Sequence, residues 1–156
     1  MADTWRAIVA SSLDWEQAHA TFDAAVDGLA PKLRGKRPKN YPHSAWELVE
    51  HLRLAEADLL AFMTNPKYTA PKWPDDYWPP TPSPPNAAAW GKSLKAIRRD
   101  CRAIKRLTLK KKLDPTKRIP WGEGQTYLRT ILLAMDHMSY HVGQIVAVRR
   151  LLADWP

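Results

Sequence analysis

The sequence contains one cysteine, Cys101, which excludes an intramolecular disulfide framework and suits a reducing cytoplasm. No apolar run approaches the length of a membrane span, so no membrane partner is expected. Residues Met1 to Arg6 lack a basic start followed by an apolar stretch, and no secretory leader is indicated. Strand-like alternation and internal repeats are absent as well. Acidic residues are the scarcer charge, 16 against 24 Lys and Arg, leaving a formal charge of +8. The excess is concentrated: twelve Lys or Arg lie between Lys92 and Arg118, against only Asp100 and Asp114. Such a block attracts anions, from small acidic substrates to nucleic acid. Nucleic acid is not the expected partner, because much of the run reads as the solvated face of a helix and no aromatic residues are interleaved for base stacking.

What the sequence does have is helical periodicity. A chain of 156 residues can bury a proper core and is read as a single domain over residues 1–156. The first amphipathic segment is expected from about Leu13 to Leu29, with Trp15, Ala18, His19, Phe22, Ala25, Val26 and Leu29 on one stripe. A turn or two of helix is expected before it, around Trp5 to Val9. The second helix starts at the capping-box pattern Ser44-Ala45-Trp46-Glu47, carries Leu48, His51, Leu52, Ala55, Leu59 and Phe62 inward, and ends near Asn65-Pro66. The third runs from after Asn86 to about Leu107 on a seam of Trp90, Leu94, Ile97, Cys101 and Ile104. The fourth runs from about Thr126 to Leu152, with Leu133, Ala134, His137, His141, Gln144, Ile145 and Val148 inward.

Four helices with one apolar stripe each hide those stripes in an all-α four-helix bundle. The connection between the second and third helices is unusual. From Thr64 to Pro85 it holds eight prolines together with Tyr68, Trp73, Tyr77 and Trp78. Long connections without secondary structure are uncommon, and these rings can pack on a bundle, so an ordered crossover is expected.

His137 and His141 stand four residues apart and therefore share one helix face. His51 replaces an apolar residue on the inner stripe of the second helix, where a bundle can bring it opposite the pair. Three imidazoles suit zinc, nickel, iron or manganese, and three protein ligands leave a position for an exchangeable group. A lone inward histidine is more often a hydrogen-bonded core residue; the three together make the metal reading the stronger one. His19 is a candidate extra ligand or, more plainly, a packing residue, and His43 reads as a loop residue. Glu47 is one turn from His51 but already has a capping role. Asp136 points about 100° away from His137 around the helix. Gln144 can hydrogen-bond near the site, and Tyr140 can supply a hydroxyl or simply pack. Glu47, Asp136, Tyr140 and Gln144 are thus weak candidates for catalytic roles. Gly143 suggests a close helix approach that offsets its helix cost of about 1 kcal/mol. Cys101 reads as a buried, inert thiol.

The run Asp136-His137-Met138-Ser139-Tyr140-His141-Val142-Gly143-Gln144, followed by Arg149-Arg150-Leu151-Leu152, resembles the last helix of the DinB-like superfamily, which includes the YfiT-type metal-dependent hydrolases. The stretch from His43 to Leu52 resembles its second helix, which carries the first histidine ligand. The loop Trp73 to Pro79 and the stretch Gly122 to Thr126 resemble one bacterial branch. The resemblance covers most of the chain in the expected order. It implies a four-helix bundle with a long Pro- and aromatic-rich crossover between helices 2 and 3, and a metal held by His51, His137 and His141. It also implies a homodimer. Some members are S-transferases or isomerases that use low-molecular-weight thiols such as bacillithiol or mycothiol. The activity expected from these readings is metal-dependent transfer or hydrolysis on a small-molecule substrate, with a non-catalytic metal-binding stress-response bundle as the alternative.

Overall fold

The structure, a computed structural model, describes residues 4–16 and 18–155; residues 1–3, part of the stretch read for a leader, lie outside them. Among the described residues it is all-helical, with five α-helices and no strand. They are α1 (Thr4–Ser11), α2 (Phe22–Val26), α3 (Ala45–Thr64), α4 (Ala87–Thr108) and α5 (Tyr127–Leu151), with single 3-10 turns at Pro31–Leu33 and Asp75–Tyr77. No helix is long and apolar enough to cross a membrane.

The three long helices start where the sequence has side-chain caps. At α3 the Ser44 hydroxyl accepts from Glu47 N at 3.2 Å, while the Glu47 carboxylate accepts from Ser44 N at 2.8 Å. This reciprocal box satisfies two orphan amides, and such a cap contributes about 1 kcal/mol. Asn86 caps α4 through Ala88 N and Ala89 N, and Thr126 caps α5 through Arg129 N.

The expected first helix is the one that differs. α1 is the turn or two expected around Trp5 to Val9, but of the segment expected from Leu13 to Leu29 only the short α2 is helical, with residues 12–16 and 18–21 outside any helix. The Ser11 and Ser12 hydroxyls donate back to Ile8 O and Val9 O, and Thr21 starts α2 by accepting from Ala24 N at 3.1 Å. Local side-chain bonds of this kind compete with helix continuation. As a result Trp15, Ala18 and His19 are exposed rather than inward, while Ala25, Val26 and Leu29 are buried as expected.

Two buried arginines fasten the short helices. Arg6 of α1 donates to Thr108 O at the end of α4 and to Leu113 O in the loop that follows. Arg149 of α5 donates to Ala25 O at 2.9 Å and Asp27 O at 2.7 Å at the end of α2. A cation that satisfies C-terminal carbonyls also opposes the helix dipole there.

α3 packs against both α4 and α5, and the apolar interior falls into two clusters. One contains Leu48, Val49 and Leu52 of α3, Trp90, Leu94 and Ile97 of α4, and Met138, Val142, Ile145 and Val148 of α5. The other contains Met63, Ile104, Ile131 and Ala134, with Leu13 and Ile119. Along the three helices, Glu56, Asp100 and His137 fall between the two sets, so the apolar core is interrupted by a polar layer.

The Pro-rich crossover is ordered against α3. Its Ser83 lies so close to Gly35 that a β-carbon there would stand 2.0 Å from Ser83 Oγ, which restricts this crossing point to glycine.

Candidate metal centre

The capping box fixes the start of α3, and one turn later His51 projects from it with 3% of its surface exposed. On α5, the i, i+4 spacing stacks His137 and His141 on the face turned toward α3. His51 Nε2 lies 3.1 Å from His137 Nε2, and His141 Nε2 lies 3.1 Å from the same atom. The three residues are the group of metal-ligating side chains that converges among the described residues, with ligand atoms all within 4.8 Å of one another.

The outer ring nitrogens fix two tautomers. His51 Nδ1 is 2.8 Å from Tyr77 O, and His141 Nδ1 is 2.7 Å from Gln144 Oε1. A carbonyl oxygen only accepts, so each Nδ1 carries the hydrogen and each Nε2 presents a lone pair to the centre. Burial, with the neighbouring rings adding to it, lowers the pKa of His137 to about 4 and of His141 to about 3, and burial lowers that of His51 as well. The rings are therefore neutral at pH 7. A hydrogen on His137 Nε2 can serve one of the two facing lone pairs and leaves the other without a donor. A divalent cation serves all three nitrogens at once, so the donor set fits such an ion. His137 Nδ1 is buried with no hydrogen-bond partner, so this ring is held less firmly than the other two.

Crossover residues complete the surroundings. Trp78 is sandwiched between His43, at 4.4 Å and 13°, and His51, at 4.1 Å and 8°. His43 is thus a stacked, half-buried residue beside the site and not simply part of a loop. Neither the Trp78 stack nor the Tyr77 carbonyl was foreseen. The aromatic cluster in the crossover was the available signal, but a backbone acceptor has no residue-type signature.

The other candidates are distributed as follows. Gln144 orients His141. Both Glu47 carboxylate oxygens are taken up by Arg37, with Ser44 N as a further donor. Burial pushes the Glu47 carboxyl up, but Arg37 and the Ser44 amide outweigh it and hold it below its ordinary value. Tyr140 is 63% exposed, its ring 4.9 Å from that of His141. Asp136 is exposed and acts on His137 through its charge. His19 lies outside the converging group; its Nδ1 is 2.8 Å from Ala20 O in the segment between α1 and α2. A β-carbon at Gly143 would meet nothing within 4 Å, so the expected close helix approach is not the reason for that glycine. Cys101 is half-buried, and burial followed by the charge of Glu56 pushes its thiol well above the ordinary range, as an inert thiol requires.

Part of the basic run is internally compensated: Arg98 pairs with Asp23, Arg99 with Asp100 and Lys105 with Asp14. Comparison with protein families finds one described as the DinB superfamily, matching residues 14–145. No curated protein and no solved structure matches the chain.

Proposed function

The chain belongs to the DinB superfamily, and from that premise we propose that it is a metal-dependent enzyme in which His51, His137 and His141 hold one divalent ion and a low-molecular-weight thiol is transferred to an electrophilic small molecule. The observation that carries the reading is the convergence of three neutral Nε2 atoms whose outer nitrogens, in His51 and His141, are turned to Tyr77 O and Gln144 Oε1. A divalent ion on three protein ligands supplies Lewis acidity, lowering the pKa of a thiol or water at a remaining position. The chain's own contribution is to keep the rings unprotonated near neutral pH and to fix the direction of two lone pairs. Hydrolysis would also need a general base within reach. Glu47 is committed to Arg37 and the helix cap, which favours transfer, where the thiol sulfur itself is the nucleophile.

A second reading, an ion that ties α3 to α5 without turnover, is supported by the depth of the site, since His51 and His141 are 3% and 5% exposed. A metal bound only to the native state would then act as a stabiliser. The test is metal analysis of untagged protein and of His51→Ala, followed by screening of the loaded protein with small thiols and electrophiles. Stoichiometric metal in the parent, its loss in the variant and metal-dependent thiol consumption support the transferase. Stoichiometric metal without consumption of any thiol favours the second reading. Equal metal in both proteins overturns the site.

A further inference from the structure

Asp58 lies on α3 about two turns beyond His51 and outside the converging group, and its two carboxylate oxygens serve different crossover residues. Tyr68 Oη donates to Asp58 Oδ1 at 2.7 Å, and Tyr77 Oη donates to Asp58 Oδ2 at 2.7 Å. Burial, then the bond to Asp58 itself, pushes both phenols well above their ordinary pKa, so both remain donors throughout the range in which proteins fold. Tyr77 is also the residue whose carbonyl accepts from His51 Nδ1 at 2.8 Å. The next residue, Trp78, covers one face of the His51 ring. One side chain of α3 therefore grips the crossover at the residue that supplies the outer hydrogen bond of another side chain of α3.

We propose that Asp58 is a positioning residue: through Tyr68 and Tyr77 it latches the crossover so that the Tyr77 carbonyl holds His51 in the Nδ1–H tautomer, with Nε2 free to face His137 and His141. A neutral imidazole without such an acceptor distributes its hydrogen between two nitrogens, and the Nε2–H form has no lone pair to offer. The ring would also lose the constraint on its rotation that outer hydrogen bonds give to metal-ligating histidines. The only helix of the proline-rich stretch among the described residues is the single 3-10 turn Asp75–Tyr77, whose backbone bonds are local, so the two tyrosines supply its registration against α3. This gives the long crossover a purpose: it is the outer support of His51. Its consequence for an ion rests on the metal reading above; the tautomer does not.

The test separates the two. Long-range proton–nitrogen spectra of the metal-free protein above the histidine pKa values read the His51 tautomer directly. The parent should show His51 with the hydrogen on Nδ1. Asp58→Ala should move it to a mixed or Nε2–H population while leaving His141, held by Gln144, unchanged. Tyr77→Phe, which keeps the ring and removes only the hydroxyl, should shift His51 in the same direction by a smaller amount, and serves if the alanine variant folds poorly. Zinc affinity, measured against a competing chelator, should fall roughly 10-fold to 100-fold in Asp58→Ala. An unchanged His51 tautomer in both variants would overturn the latch, whatever happens to stability. A shifted tautomer in a protein that binds no zinc upholds the latch and counts against the metal reading alone.

Discussion

Two of the buried polar clusters on α3 make a contrast, one toward α5 and one toward α4. Toward α5, His51 meets His137 and His141, with two outer nitrogens bonded and the inner ones converging. Toward α4, Glu56 is fully buried with no partner for either carboxylate oxygen, and it feels the charge of the buried Asp100. Burial, with Asp100 adding to it, raises the Glu56 pKa to about 8, whereas burial drives His137 and His141 down to about 4 and 3. Desolvation thus neutralises Glu56 on one side and the histidine rings on the other at pH 7, while Asp100 is paired with Arg99. The difference lies in orientation. In the histidine cluster the lone pairs share a centre, and in the carboxyl cluster nothing does. Burial alone makes a neutral polar layer; a binding site also needs second partners that aim the first atoms.

The sharpest way to break the contrast is to remove one member from each side. His137→Ala should reduce zinc affinity by more than the roughly 100-fold upper end of an outer-sphere change, while Glu56→Gln leaves it within about 2-fold. Chelator competition measures both, and comparable losses would erase the distinction.

The next effect is on stability against pH. Glu56 binds a proton more tightly folded, at about 8, than unfolded, at 4.5. Its favourable contribution is complete below about 4.5 and is lost as pH rises toward 8, with a slope of up to about 1.4 kcal/mol per pH unit. Denaturant unfolding of Glu56→Gln should lack that decline and leave the variant on the order of a few kcal/mol more stable than the parent above pH 8. The histidine cluster acts in the opposite sense. His137 and His141 bind protons more weakly folded than unfolded, so metal-free protein should lose stability as pH falls below 6.5 toward 4, and His141→Ala should flatten that limb. Thermal unfolding across this window checks it.

The smallest expected effect tests whether the rest of α5 is independent of the site. Gly143→Ala adds a methyl group to open space in a helix interior and should stabilise the fold by about 1 kcal/mol with unchanged zinc affinity. A loss of affinity would tie that backbone position to the histidines.

Much of this was legible in the sequence, for identifiable reasons. Ser44, Asn86 and Thr126 cap the long helices from their own side chains, and the 3.6-residue spacing alone puts His137 and His141 on one face. The same periodicity gave the order of the long helices and put His51 on the inner stripe of α3, and the family resemblance implied the same three ligands. The break between α1 and α2 was hidden because Trp15, Ala18 and Phe22 keep helical spacing through a region where Ser11, Ser12 and Thr21 bond locally instead. The Tyr77 carbonyl was hidden because any residue has one. The role of Asp58 depends on the path of the crossover, which proline content marks as irregular without saying where it goes.

The central claim is that His51, His137 and His141 present three nitrogens to one ion. Zinc titration of the metal-free protein, read from the ring-nitrogen resonances of its five histidines, tests it most directly. The account predicts that one equivalent converts the Nε2 signals of His51, His137 and His141 together to the bound form, with His19 and His43 uncoordinated. Zinc coordination at His19 or His43, or failure of any one of the three to respond, would contradict it.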